Sequence, residues 1–375
     1  MKIKIGILTF HFTNNYGGLL QAYSLRKFLI NNGHIVEFIN YVPKHVDQGG
    51  DFKNFLKLKN LKPNLKIIYL KLINYLNDKF GNKNLIYKFQ KFKKNKMGIK
   101  GQTIQTKKDL KTVSKKFKIL IAGSDQIWNS SEQYGLDENY FLNFSNKTFN
   151  ISYAASFGKD SLEVKYFNKI KKLIKNFNKI SVREEHGLNI LRRLTNKKIN
   201  IVPDPTFLIR DFSDLYKNKK KYKEEYVFCY NLRSDYLVRD ISNSISNTHN
   251  CKILTPFNIH RRWRQIGKTV YPGPEEWLTL INNANFVVTN TFHGVVFSIL
   301  FKKNFIAADL PLSKKKYSVR VKNILKQLNL EDRYIKKFDT NETNKILSKK
   351  INWLKVEKKT NKLRLIGQNF LKNSI

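Results

Sequence analysis

The chain has 375 residues, more than one ordinary core holds, and 41% are hydrophobic and 13% aromatic, enough for two domains with cores of their own. Two cysteines, Cys229 and Cys251, form neither a disulfide framework nor a metal spacing, and both stand in or beside apolar runs, as core thiols of a reducing compartment do. The formal net charge of +43 reflects either an anionic partner or a bias toward Lys; because the excess is Lys, an anionic surface such as a membrane face is expected and dedicated nucleic-acid binding is not.

The opening "MKIKIGILTFHFTNNYGG" has a basic start, a short apolar run and no small-residue cleavage site, so it reads as a first β-strand and not a signal peptide. No apolar run approaches the length of a membrane span, and the expected location is the cytoplasm. A polar loop with His11, Asn14, Asn15, Tyr16, Gly17 and Gly18 leads into a helix. There Leu19, Leu20, Tyr23, Leu25, Phe28 and Leu29 keep helical spacing until Gly33 stops it. "IVEFINYV" is a second strand, and this βαβ opening predicts a parallel sheet. Residues 52–118 carry 20 Lys against Asp78 and Asp109, mixed with aliphatics and aromatics at helical spacing. They read as an insertion of basic amphipathic helices, either a solvated subdomain or a membrane-surface patch.

Regular order returns with the strand of "FKILIAGSDQIWN", which ends at Gly123, Ser124, Asp125 and Gln126. "NISYAASFG" is a strand with a small-residue exit at Ser156, "YFNKIKKLIKNFNKI" a helix, and "SVREEHGLNILRRL" a strand running into a helix. "KINIVPDPTFLI" ends a first α/β domain, and the lysine-rich "YKNKKKYKEE" reads as a linker. A second α/β unit follows in "YVFCYNL", "KILTPF", "PEEWLTLINNA", "NFVVTN", "GVVFSILFKKN" and "FIAAD", with a basic helical tail beyond about Asp339.

Polar residues gather where strands end, and ligands of open parallel sheets bind outside those ends. In "VVTNTFHGVVFSILF" a buried strand hands over to a helix through Thr289, Asn290, Thr291, Phe292, His293 and Gly294. The first N–H groups of such a helix, at the positive end of its dipole, suit a phosphate or carboxylate. Gly294 admits an anion to the backbone, and His293 binds it or moves a proton; otherwise Thr291 is only a cap and His293 a satisfied polar group. Arg183 in "SVREEHG" either reads a planar anion or pairs with a neighbouring Glu. Asp125 accepts a hydroxyl proton or caps a helix. The first loop lacks G-x-G-x-x-G spacing, and no P-loop, H-E-x-x-H, G-x-S-x-G or CxxC motif occurs.

Taken together in their order and spacing over 1–309, "NNYGGLLQAYSLRKFL", "IAGSDQIWN", "ISYAASFG", "SVREEHG", "VPDPTFL" and "NANFVVTNTFHGVVFSILFKKNFIA" resemble the polysaccharide pyruvyl transferase family. The insertion at 52–118 and the tail stand outside the resemblance. It implies two Rossmann-like domains facing a cleft, as in the GT-B glycosyltransferase fold. Residues 1–215 would form the acceptor side, 216–340 the donor side and 341–375 a helical tail. The implied donor is phosphoenolpyruvate and the implied acceptor a hydroxyl pair on a sugar or lipid-linked oligosaccharide, with no cofactor and no metal. By the same resemblance Arg183 and His293 sit at the donor site; Asn290, Thr291 and Gly294, from the turn itself, are the further donor-binding candidates. Some members carry Arg two residues before that histidine, where this chain has Thr291. The reaction needs a general acid, for which His293 is the candidate, and a base, for which Asp125 is the candidate. Asn15, Tyr16, Gly17, Ser124, Gln126 and Ser156 are the candidate acceptor-side residues. A nucleotide-sugar glycosyltransferase of the same architecture is the alternative, and a non-catalytic nucleic-acid or membrane binder a third reading.

Overall fold

The structure, a computed structural model, describes residues 2–43, 52, 54–80, 82–131, 135–145, 147–216, 224–231, 235–258, 266–310 and 318–375. The lysine-rich stretch at 217–223, read above as a linker, lies outside the described residues. The chain divides into two compact units: Met1–Leu208 with Gly367–Ile375, and Ile209–Ile366.

The first unit opens with β1 (Lys4–Leu8), α1 (Tyr16–Asn31) and β2 (Ile35–Phe38). Three helices occupy the lysine-rich region, α2 (Leu61–Phe80), α3 (Lys83–Asn95) and α4 (Lys107–Ser114). Then come β3 (Ile119–Ala122), β4 (Phe149–Ala155), α5 (Phe167–Leu173), β5 (Lys179–Val182), α6 (Glu185–Arg192) and β6 (Ile199–Ile201). All strands pair in parallel, in the order β2-β1-β3-β4-β5-β6. Ile7, Ile121 and Ile151 lie side by side on one face, and β3 is apolar and buried along its whole length, as a strand covered on both sides requires. One end of this core is aromatic: Trp128 stacks on Phe141 at 5.1 Å, meets Phe177 edge-on and lies tilted against Phe157.

The second unit comprises β7 (Tyr226–Tyr230), α7 (Tyr236–Thr248), β8 (Lys252–Pro256), β9 (Lys268–Val270), α8 (Pro274–Asn283), β10 (Phe286–Thr289) and α9 (Phe292–Leu300). It continues with β11 (Asn304–Ala308), α10 (Val319–Leu328), β12 (Tyr334–Ile335), α11 (Thr340–Ser348) and α12 (Trp353–Lys372), whose last residues belong to the first unit. Its strands are also parallel, in the order β12-β11-β10-β7-β8-β9. The strands β9 and β12, absent from the sequence analysis, are three and two residues long and lie at the sheet edges. Elements that short carry no periodicity to read.

Each sheet reverses its winding once. In the first unit the chain adds β2 on one side of β1 and then β3 on the other; in the second it adds β8 and β9 beside β7 and then β10 on the opposite side. Crevices at such switch points, outside the carboxyl ends of the strands, are where open α/β sheets hold ligands. The loops concerned are those after β1 and β3 in one unit and after β7 and β10 in the other.

Candidate functional site

In the second unit β10 runs between β11 and β7, with Val287 and Val288 fully buried. The strand ends at Thr289, beside Tyr230 and Ala307. Thr291 is the N-cap of α9, in extended conformation, and its Oγ1 accepts the Gly294 N–H at 2.8 Å. Thr289 Oγ1 accepts the Thr291 N–H at 3.1 Å and lies 3.0 Å from Thr291 Oγ1. The turn is thus laced by two hydroxyls. Gly294 is required for a reason other than ligand approach: a Cβ there would stand 2.5 Å from Thr291 Oγ1 and 2.9 Å from Thr289 Cβ. The Gly294 N–H goes to the cap at Thr291. The rest of α9 is apolar and buried, with Phe297 packed edge-on against Trp277 and Phe212, as a helix hydrophobic all round must be.

His293, at the second position of this helix, is 9% exposed, and its ring meets the Phe292 ring edge-on at 5.1 Å. The Arg320 guanidinium, from α10, lies 5.8 Å from the Phe292 ring centroid. Asn290 is buried in the turn itself. On the neighbouring strand end, Asn231 donates from Nδ2 to Cys229 Sγ at 3.3 Å and accepts at its carbonyl from Asn258. Burial pushes the Tyr230 hydroxyl up, so that ring stays neutral. Cys229 and Cys251 are both buried and neither is in a disulfide.

In the first unit the two switch-point loops are tied together. Thr9 Oγ1 donates to Ser124 O at 2.9 Å, and Gln21 Nε2 donates to Thr9 Oγ1 and Gly18 O. Asn15 caps α1 by accepting the Gly18 N–H at 3.1 Å, and its side chain is exposed. Asp125 follows the cis Gly123–Ser124 peptide and has φ of 72°, a left-handed conformation that Asp tolerates better than most residues. Its carboxylate reaches the first turn of α1: a Cβ at Gly18 would stand 3.4 Å from Asp125 Oδ2. A carboxylate there is favoured by the helix dipole. His11, also on this loop, lies between Thr9 O and Asn40 Oδ1, and burial pushes its pKa below the ordinary imidazole value.

Other candidates of this unit serve the scaffold. Tyr16 is buried with its ring 5.1 Å from Phe89, and Gly17 is enclosed in the first turn of α1. Ser124 Oγ donates to Ala154 O at 2.8 Å, and Ser156 Oγ accepts the Gly158 N–H at 2.9 Å; both residues are fully buried. Gln126, half-buried, accepts from Asn129 Nδ2 at 2.7 Å. Arg183 leaves β5 into the interior. Its Nε donates to Glu184 Oε1 and its Nη1 to Asp204 Oδ2, each at 2.8 Å. Burial alone would lower its pKa, but Glu184, Asp204 and Asp125 outweigh that and hold it above the ordinary guanidinium value. Asp204 in turn accepts from the backbone and hydroxyl of Thr206.

The sequence analysis missed Lys93. It stands on α3, and its Nζ donates to Phe12 O at 2.6 Å and Asn14 Oδ1 at 3.1 Å, strapping the β1–α1 loop. Burial pushes its pKa down to about 8. One lysine among the 20 of that region gives no signal in sequence. Glu184 is the neighbouring Glu that the sequence offers as a partner of Arg183, whereas Asp204 gives no such sign, because that pairing joins positions 21 apart.

A family model described as polysaccharide pyruvyl transferase matches residues 15–309, from the cap of α1 to the residue after β11. No significant match was found among curated proteins. Among solved structures, the chain is similar to one described as a UDP-N-acetylglucosamine 2-epimerase from Listeria monocytogenes. They share 8% identity with a TM-score of 0.50, over 98% of this chain and 94% of that one. It is also similar to the UDP-GlcNAc 2-epimerase of Methanocaldococcus jannaschii, at 10% identity and TM-score 0.49 over 94% and 93% of the chains. With HepE of Anabaena, crystallised with UDP and glucose, it shares 8% identity and a TM-score of 0.45 over 99% of both. The full-length likeness and the two parallel six-stranded sheets make the fold that of the GT-B glycosyltransferases and epimerases, built from two Rossmann-like domains. With the family model spanning both sheets, the chain belongs to the polysaccharide pyruvyl transferase family.

Proposed function

We propose that the chain transfers pyruvate from phosphoenolpyruvate to two hydroxyls of one sugar in a polysaccharide precursor, forming a cyclic ketal and releasing phosphate. The observation that supports this most is the turn after β10: a buried imidazole at the start of an apolar helix, at the switch point of its sheet, inside the family match.

The chemistry makes two demands there. The methylene carbon of phosphoenolpyruvate must take a proton, which leaves the central carbon electron-poor. One sugar hydroxyl then adds to that carbon and loses its proton. The carbon–oxygen bond to phosphate breaks, and the second hydroxyl closes the ring. Of the two hydroxyl protons released overall, one balances the proton on carbon and one leaves with phosphate, so no redox cofactor is needed. His293 is the acid in this scheme, a role suited to an imidazole, and the positive end of α9 with Asn290 beside it favours the donor's two anionic groups. Asp125 is the base for the hydroxyls, held by its left-handed backbone at the switch point of the first unit. Arg183 serves through Glu184 and Asp204, fixing the strand end behind Asp125.

The test is a reaction in heavy water with phosphoenolpyruvate labelled at the bridging oxygen, over a panel of lipid-linked sugars. Labelled inorganic phosphate and a deuterated methyl group on the glycan are expected. Label retained in free pyruvate would mean phosphorus–oxygen cleavage. Untouched phosphoenolpyruvate with a nucleotide sugar consumed would mean a glycosyltransferase. Either result overturns the proposal.

A further inference from the structure

The helix α2 presents an apolar stripe that the pyruvyl-transfer reading does not use. Leu61, Leu65, Ile68, Tyr69, Leu72 and Tyr75 are between 47% and 57% exposed, although each is a residue that folding normally covers. At 3.6 residues per turn they fall on one arc of about 120°. The same helix buries Ile67 on the side away from the stripe and Asn64 at the stripe's edge, so it is held by the unit and its stripe points outward. Lys71 and Lys79 belong to the same helix and are exposed, and Lys57 stands exposed just before it.

We propose that this stripe seats the chain on an anionic lipid surface, with α2 lying in the plane of the interface. Charge selects the occupant. A second copy would bring another formal +43 to the contact, whereas an anionic leaflet complements it. The side chains fit the same surface: aliphatic residues enter the acyl boundary, Tyr69 and Tyr75 place hydroxyls at headgroup level, and the lysines extend to the phosphates. Among the described residues no helix is long and apolar enough to cross a membrane, so the contact is peripheral. The inference stands on the stripe and the charge alone and holds or fails independently of the donor chemistry.

Co-sedimentation of the full chain with phosphatidylglycerol vesicles and with pure phosphatidylcholine vesicles tests it, at low and at physiological salt. Binding to the anionic vesicles that weakens as salt rises is expected. Combining Leu65→Ser, Ile68→Ser and Leu72→Ser should weaken it about tenfold or more, since apolar burial drives insertion. Lys71→Glu with Lys79→Glu, which leaves the apolar face intact, should also weaken it and covers the case in which the serine variant fails to fold. Equal binding to both vesicle types, or a folded serine variant that binds like the wild type, would overturn the proposal. So would a wild-type dimer in sedimentation velocity that the serine variant dissociates, because the stripe would then belong to a second copy.

Discussion

Replacing Arg183 with Ala separates a residue that holds the fold from one that holds a ligand. The guanidinium is 6% exposed, and the two carboxylates it bonds at 2.8 Å, on Glu184 and Asp204, are 5% and 2% exposed. Removing it takes the guanidinium away from two buried carboxylates. Breaking a buried ion pair from one side costs about 3–5 kcal/mol, a third or more of the stability of an ordinary domain. With a urea dependence of about 2 kcal/mol per molar, the midpoint of the first unit should fall by roughly 1.5–2.5 M. Fluorescence of Trp128, in the core of that unit, and far-UV circular dichroism report the transition. Arg183→Lys should lie between, because one ammonium cannot span both carboxylates as the fork does. Arg183→Met combined with Asp204→Asn should recover part of the loss, since one stranded charge is then gone. An unchanged midpoint in Arg183→Ala would refute the reasoning and return this arginine to the role of an anion ligand. Its loss of turnover would then report catalysis and not unfolding.

Gly294→Ala should destabilise the second unit by about 1–3 kcal/mol in urea titration, because the new methyl displaces both capping hydroxyls; this outweighs the roughly 1 kcal/mol by which Ala favours a helix. Equal or greater stability would show that the turn after β10 is not laced as described. Lys93 predicts a pH dependence. Its folded pKa of about 8 lies below the ordinary 10.5, so between those values the unfolded chain binds a proton that the folded chain has released, and stability should rise with pH. The difference in urea midpoint between wild type and Lys93→Met, followed across that window, should shift accordingly, and a flat difference refutes the burial argument. His293→Ala should lower turnover by roughly 10²–10⁴ with its melting transition retained, measured as phosphate release from phosphoenolpyruvate. Near-full activity in a folded variant would remove His293 from the acid role.

Much of this architecture can be read from sequence because each central strand is an apolar run ending in a polar cluster. "ILIA" before "GSDQ" and "FVVT" before "NTFHG" give strand, exit and following segment at once, and β3 and β10 lie where those runs place them. The cap at Thr291 is likewise local, since a hydroxyl that accepts from the N–H three residues on is a short-range pattern. What sequence could not show depends on contacts made in space. The Thr289 hydroxyl fills the place a side chain at 294 would need, a packing demand on Gly294 that the sequence does not show. Arg183 reads in sequence as an anion ligand or the partner of a neighbouring Glu, and its second carboxylate, Asp204, comes from far along the chain. Lys93 looked like any lysine of a basic helix until α3 packed Phe89 and Phe92 against Tyr16 and Tyr23 and set the ammonium on the first loop.

The return of residues 367–375 to the first unit has a consequence for how the chain matures. One side of this segment packs on that unit: Leu371 is fully buried, Phe370 lies 6.1 Å from the Tyr153 ring, and Gln368 donates to Leu208 O at 2.9 Å. During synthesis the first sheet must therefore wait, incompletely covered, until all of Ile209–Ile366 has been made. While that intervening stretch is unfolded, docking the last segment closes a loop of its full length, an entropic cost on the order of 4 kcal/mol. Once the stretch has folded, its ends are fixed and much of that cost is gone. Folding of the second unit thus completes the first, and a fragment ending at Leu208 would lack part of its own wall.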